Sequence, residues 1–288
     1  MNKPRPKSIL VYSAALLVVL YSIWPVLIMT LEGFDIDLSP IFSGRGLRYI
    51  GGVPYFSGGI FPTPVNYMDA LNLGHFPRLV VNSTAIASLS IVFAMLVGVP
   101  AAYALARLRI RGKKVLGFLL LALRTVSPFA VVLPMFLLFI RTGLWDTYQG
   151  VAVVYLVLVL PVIVWVVRGF FSEIPRETYE AAALFGASEK QIFLRIALPL
   201  VVPGIIVTSI FAFSLIWNEF LIADILTGPA SKTVSVGVWG GVGGNVGFRN
   251  VGWSELNAAG ALAFYPAFSM LLIIRRYLAK GFSLATAS

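Results

Sequence analysis

Residues 174–203 read IPRETYEAAALFGASEKQIFLRIALPLVVP. The stretch begins polar and helix-prone and ends apolar, so a water-facing turn feeds into something buried. Pro175 suits the first position of a helix, where its missing N–H costs nothing. Residues 176–185 favour helix, and Gly186 suits the left-handed position that ends one. Ser188 then opens a second helix, and Gln191 three residues on completes a capping box. Pro199 is expected to stop that helix. A polar helix with a flat face of Ala181, Ala182 and Ala183, led by Glu180, makes a docking knob. Small side chains let it sit deep in a partner's groove, and Glu180 offers one charge-assisted contact.

What the knob is attached to follows from composition. Of the 288 residues 59% are hydrophobic and only 12% are charged, with a mean hydropathy of +0.90. A soluble domain carries roughly 25% charged residues, and one of this size cannot hide so much apolar side chain. A soluble enzyme and a disordered chain are both excluded. Cysteine is absent and His75 is the single histidine, so there is no disulfide framework, no thiolate nucleophile and no metal site of Cys or clustered His.

Spanning a bilayer takes about 20 mostly apolar residues. Six stretches qualify: 9–31, 79–105, 115–140, 150–167, 200–225 and 258–278. The first is longer than a signal-peptide core and reads as a retained helix. The net charge of +10 is distributed unevenly between the two sides these spans define. One side holds Lys3, Arg5, Lys7, Arg107, Arg109, Arg111, Lys113, Lys114, Arg168, Arg176, Lys190, Arg195, Arg275, Arg276 and Lys280; the other holds Arg45, Arg48, Arg78, Arg141, Lys232 and Arg249. Cytoplasmic loops gather Lys and Arg, so both termini and the knob are expected in the cytoplasm of a multi-pass protein of the cell membrane. That asymmetry also removes the nucleic-acid reading of a pI near 10.

The spans are not those of a passive anchor. Each contains proline: Pro25, Pro100, Pro128 with Pro134, Pro161, Pro203 and Pro266. Proline frees a carbonyl and kinks the helix, which membranes tolerate where neighbours or water satisfy the group. Small residues at Ala101, Ala102, Ala104 and Ala106, and at Ala258, Ala259, Gly260 and Ala261, allow close helix approach. Arg124, Glu219 and Asp224 are ionisable groups within or beside spans, where such groups usually face a bundle interior or cavity. Asp224 reads as solvated and Arg124 as a pairing residue or a candidate for the solute path. Trp217, Asn218 and Glu219 suit a hydroxylated solute, the ring covering C–H groups and the polar pair taking hydroxyls; an interfacial aromatic with a capping Asn is the equal alternative. The glycine cluster Gly240, Gly241, Gly243 and Gly244 lacks the Gly-Lys-Ser/Thr of a phosphate loop. Asn82-Ser83-Thr84 matches a glycosylation sequon, but it abuts a span and reads as a helix cap.

Glu180-Ala181-Ala182, then Gly186, then Ile196-x-Leu198-Pro199 resembles the EAA motif of ABC importer membrane subunits, the binding-protein-dependent permeases. Residues 102–107 (AYALAR) with Arg111-Gly112-Lys113, the segment from Arg124 to Pro134, Gly143-Leu144-x-Asp146-Thr147-Tyr148, Arg168-Gly169-Phe170-Phe171 with Ile174-Pro175, and Trp217-Asn218-Glu219-Phe220 are similar to carbohydrate-uptake permeases, most of all the smaller subunit type of the maltose importer. The likeness covers roughly residues 79–280. Phe185 departs from it, since many sugar permeases carry Asp before the glycine.

The resemblance implies an all-α polytopic fold of six transmembrane helices, five of them forming the permease core and the first packing on a partner. It divides the chain into a first helix with an extracytoplasmic loop (1–78), a core (79–280) containing the coupling loop (172–199), and a tail (281–288). It implies a heterodimer with a second permease, two ATPase subunits that bind the ATP and Mg, and an extracytoplasmic sugar-binding protein. Glu180, Ala181, Ala182, Gly186, Ala187 and Ser188 would couple to the ATPase. Trp217, Asn218, Glu219 and Arg124 would line the substrate path of a sugar carried by alternating access. The chain itself would hold no cofactor or metal and perform no bond chemistry. The competing readings are a permease for a polyamine, glycerol phosphate or amino acid, and an ATP-independent carrier or channel, which would need no knob.

Overall fold

The structure, a computed structural model, describes residues 6–34, 48–50, 53–55, 64–72, 75–108, 110–122, 125–243 and 253–285. It is almost entirely helical. Its elements are α1 (Pro6–Gly33), β1 (Arg48–Ile50), β2 (Val53–Tyr55), α2 (Val65–Asn72), α3 (Phe76–Arg107), α4 (Lys113–Ala122), α5 (Pro128–Thr142), α6 (Tyr148–Glu173), α7 (Arg176–Leu184), α8 (Glu189–Trp217), α9 (Leu221–Leu226), α10 (Val234–Gly243) and α11 (Trp253–Ala285). The two strands pair antiparallel as a minimal hairpin. Among the described residues, Ala15–Gly33 of α1, α3, α6 and α8 are long and apolar enough to cross a membrane, and α5 is a shorter apolar helix.

The chain divides into two compact units, Met1–Pro77 with Gly237–Tyr265, and Arg78–Val236 with Pro266–Ser288. In the first unit, small residues permit the close helix approach their sequence promises. Ala70, Ala258 and Ala259 form its buried centre. A Cβ added at Gly260 would lie 3.0 Å from Met29 Sδ. Polar groups then tie the C-terminal end of α1: Tyr67 donates its hydroxyl to Thr30 O at 2.9 Å, and Asn257 Nδ2 donates to Glu32 Oε2 at 2.7 Å. The outward face of α1 stays bare, with Leu17 67% and Tyr21 81% exposed.

In the second unit α6 is the central helix. Val151, Tyr155, Val159, Ile163, Val167 and Phe171 on it are fully buried, a helical stripe at spacings of four. Gly98 of α3 and Gly204 of α8 let neighbouring helices approach it. A Cβ at Gly98 would meet Ile163 Cγ2 at 2.8 Å, and one at Gly204 would meet the Phe170 ring at 2.4 Å.

Four expectations need correction. The stretch 115–140 is not one helix: α4 ends at Ala122 and α5 begins at Pro128, where proline suits a first turn but cannot accept a preceding helix. The stretch 200–225 is broken at Asn218, with the short α9 following. Asn82 caps nothing; α3 starts at Phe76, and Asn82 is buried within it. Pro199 does not stop the helix that Ser188 starts. Proline 199 has no N–H to give Arg195 O, and the backbone absorbs this by widening into a π turn over Ile192–Ala197, with Leu198 N–H donating to Phe193 O. Residues 189–217 therefore run as one rod.

Candidate functional site

The knob is α7 and the turn after it. Pro175 sits one place earlier than expected, as the residue before the helix, and Arg176 is the first helical residue. The turn that ends α7 is a complete Schellman motif. Gly186 takes φ +80°, its N–H donates to Ala183 O at 2.9 Å, and Ala187 N–H donates to Ala182 O at 3.1 Å. Ser188 and Gln191 then form the capping box in full: Ser188 Oγ accepts from Gln191 N–H, and Gln191 Oε1 accepts from Ser188 N–H at 2.8 Å. The carbonyls of Ala181, Ala182 and Ala183 and the amides of Ser188, Gln191 and Ile192 thus all find partners within the turn, which orders the knob locally.

No residue of α7 is buried. Glu180, Ala181 and Ala183 are exposed, while Ala182 is half-buried. The tip carries what sequence reading did not single out: Leu184 is 88% and Phe185 92% exposed. Fully burying such side chains is worth ~1.5–3 kcal/mol each. The one signal was the departure at Phe185 from the usual polar residue.

Beneath the knob lies its seat. Arg107, at the end of α3, donates from Nη2 to Phe171 O at 3.1 Å, in the last turn of α6, and to Ile174 O, its C-cap. Its guanidinium lies 3.9 Å from the Tyr179 ring centroid on α7. A cation at a helix C-terminus also complements the helix dipole. Tyr103, one turn earlier, donates its hydroxyl to Glu189 Oε2 at 3.1 Å and contacts the Phe193 ring at 4.9 Å between centroids. Two residues of α3 thus tie together the end of α6, the knob and the start of α8.

The opposite end of the unit is also organised by single side chains. Asp146 takes φ +57° in the turn between α5 and α6. Its Oδ1 accepts from Gly228 N–H at 2.7 Å, Ser231 N–H at 2.8 Å and Ser231 Oγ at 2.6 Å, and Oδ2 accepts from Ala230 N–H at 3.0 Å. Burial alone would push this carboxyl up; the Ser231 hydroxyl and the three amides outweigh it and hold it below the usual carboxylate value. Asn82 Nδ2 donates to Ala230 O and Lys232 O, while its Oδ1 accepts from the Tyr148 hydroxyl at 2.6 Å. The sequon asparagine is thus fully engaged.

Trp217, Asn218 and Glu219 meet at the break after α8. The Trp217 ring is buried and stacked on Phe213, with centroids 5.4 Å apart. Asn218 is exposed and donates from Nδ2 to Ser214 O at 2.8 Å. Glu219 accepts the Tyr155 hydroxyl at 2.8 Å and caps α9 through the N–H groups of Ile222 and Ala223. Arg124 and Gly244 lie outside the described residues. Among the described residues, no group of three His, Asp or Glu side chains could hold a metal ion.

Apolar helices long enough to cross a membrane, with prolines inside them, and an exposed knob at one end of the second unit fit a membrane-embedded transport subunit. The family described as binding-protein-dependent transport system inner membrane component matches residues 84–283, and the chain belongs to it. A probable ABC transporter permease, y4oR, of Sinorhizobium fredii is 34% identical over 228 residues, covering 78% of this chain and 79% of the relative. The trehalose/maltose transport system permease MalG of Thermococcus litoralis is 29% identical over 286 residues, covering 98% and 97%. Among solved structures, a bacterial ABC transporter involved in import of the acidic polysaccharide alginate aligns with a TM-score of 0.72 at 20% identity, over 96% of this chain and 99% of that one. As a member of this family the chain is a transport subunit of a membrane, not an enzyme.

Proposed function

We propose that the chain is one half of the membrane pathway of an ATP-driven importer and passes a sugar delivered by an extracytoplasmic binding protein. Similarity to the trehalose/maltose permease along nearly the whole chain supports the sugar class. The observation that carries the reading is the knob. Leu184 and Phe185 stand almost fully exposed on a turn with no local slack, directly ahead of the rod of residues 189–217. An apolar tip held rigidly in water needs a partner, and a separate ATPase is that partner, holding the ATP and Mg.

In this reading the knob and the termini lie in the cytoplasm. ATP closes a pair of ATPases, the knobs move with them, and the rods tilt to open the pathway outward. ATP drives this only through its different affinity for the two states. Glu180, Ala181, Gly186, Ala187 and Ser188 shape the knob, and Ala182 packs its inner side. The bare outward face of α1 supports a second, similar permease as the neighbour. Of the solute-path set, Asn218 is the side chain presented at the α8–α9 break, and Trp217 and Glu219 hold that break in shape.

The test is transport in vesicles holding the chain with its partner permease and ATPase. Uptake of an α-linked disaccharide such as trehalose, dependent on ATP and on the binding protein, is the expected result. Uptake without ATP would replace the reading with a carrier or channel. ATP-driven uptake of a polyamine, glycerol phosphate or amino acid in place of sugar would replace the substrate class alone.

A further inference from the structure

A cleft of about 580 Å³ opens between the end of α3, the turn into α4, and the knob. Arg107, Lys113 and Arg176 line it, with Glu180 and Glu189 on the knob side. Next to it lies a slot of about 300 Å³ between α3 and α4, lined by Ala101, Ala104, Leu105, Leu116, Leu119 and Leu120, without a polar surface. Ile110 lines both, so the cationic cleft and the apolar slot adjoin at that side chain.

The cleft has donors to spare. Arg107 Nε and the Tyr179 hydroxyl are buried with no hydrogen-bond partner, a costly state for polar atoms. Lys113 Nζ gives one bond, to Ala106 O at 3.2 Å, and an ammonium has three to give. On the carboxylate side, Glu189 Oε2 is occupied by the Tyr103 hydroxyl. Three cations against two carboxylates leave one positive charge. That matches a phosphodiester, which carries one negative charge, better than a free phosphate carrying close to two.

We propose that an anionic phospholipid binds here, its phosphate in the cleft and one acyl chain in the slot. The geometry is that of a membrane surface. Arg107 and Lys113 sit where α3 ends and α4 begins, and the slot residues lie up to two turns further along both helices, those of α3 within a helix long and apolar enough to cross a membrane. Leu116 and Leu119 are 45% and 53% exposed, so the slot opens sideways to lipid. Basic residues just beyond a span attract anionic headgroups by about 1 kcal/mol each. The lipid touches Tyr179 and Glu180 of the knob, so it sets how firmly the knob is seated. The proposal needs only that the chain lies in a bilayer, and it stands or falls apart from the sugar reading.

The experiment is native mass spectrometry of the assembled importer released from nanodiscs of phosphatidylcholine with a minor fraction of phosphatidylglycerol. The intact chain should retain a phosphatidylglycerol that Lys113→Gln holds about fivefold more weakly. Leu119→Trp, which fills the slot without touching charge, should lose it too. Co-elution of both variants with the partner subunits shows that they are folded. Equal retention by the intact chain and both variants overturns the proposal. Displacement of the lipid by millimolar inorganic phosphate would assign the cleft to a free anion instead. A zero-length cross-link from Lys113 to an acidic residue of the ATPase would give it to protein.

Discussion

Asp146 and Ser231 are joined twice: one carboxylate oxygen accepts both the Ser231 amide at 2.8 Å and the Ser231 hydroxyl at 2.6 Å. Through this pair the turn before α6 holds the segment after α9. Asp146→Asn keeps a residue tolerant of φ +57° but swaps acceptors for a mixed amide. It should lower stability by about 2 kcal/mol, since hydrogen bonds to a charged group are worth ~1.5–3 kcal/mol. Limited proteolysis between residues 226 and 234 reads this directly, and unchanged cleavage kinetics would contradict the pinning role.

The same carboxylate sets an acid limit. Its pKa is lowered by folding, so its contribution is fully present above the unfolded value of about 3.9. The contribution is lost as pH falls through the lower, folded value. Melting of the detergent-solubilised protein should therefore be insensitive to this group between pH 5 and 8 and fall steeply below about pH 4. In Asp146→Asn the acid-side fall should be shallower. A parallel acid profile in the two proteins would count against the linkage.

Gly186 has open space around it; a Cβ there meets nothing within 4 Å. Only its φ of +80° resists substitution. Gly186→Val should cost ~1 kcal/mol or more, distort the knob and release the ATPase, while Gly186→Asn, which tolerates the left-handed region, should retain it. Co-purification of the ATPase with each variant decides. Equal retention by the Val and Asn forms would leave the turn without a coupling role.

Arg107 grips two carbonyls with one nitrogen and stacks on Tyr179. Lysine reproduces the charge but neither the fork nor the plane. Arg107→Lys should leave the chain in the membrane, with ATP hydrolysis per sugar moved rising several-fold. A wild-type ratio of hydrolysis to uptake would show that the seat is not mechanical.

Lys113 and Lys190 lie on the knob side, and Lys232 lies at the end organised by Asp146. In this cysteine-free chain, cysteine placed at Lys113 or Lys190 should resist an impermeant thiol reagent in right-side-out vesicles, and cysteine at Lys232 should react. Labelling at Lys190 from outside would invert the topology.

Local rules carried much of this architecture. Gly186, Ser188 and Gln191 act through the backbone of their own turn, so their roles were legible from spacing alone. The broken helices were less legible, because the polar residues at Arg124–Ser127 and at Asn218-Glu219 are short interruptions of otherwise apolar stretches. Whether a proline kinks, breaks or merely widens a helix depends on neighbours distant in sequence. Pro128 starts a helix, and Pro199 sits inside one behind a π turn. From sequence Asp146 reads only as a motif member and Asn82 as a cap, because their partners lie 85 and 150 residues away. In sequence Arg107 is one charge in a topological count and the last residue of the AYALAR stretch. Its work on the α6 carbonyls could not be inferred before α3 and α6 were placed together.

The π turn over Ile192–Ala197 also fixes a rotational phase. A π turn holds one residue more than the α-helix it interrupts, and each residue advances an α-helix by about 100°. Pro199→Ala restores the missing N–H, and with no residue deleted the same six residues would close up as α-helix, each advancing about 100° in place of the smaller step of a π turn. The span would keep its lipid-facing and protein-facing sides, but Leu184 and Phe185 would swing roughly a quarter of a circle about its axis. The π turn thus acts as a clocking pin between subunits, and a partner ATPase matched to this chain would be out of register with a variant in which the turn closes up.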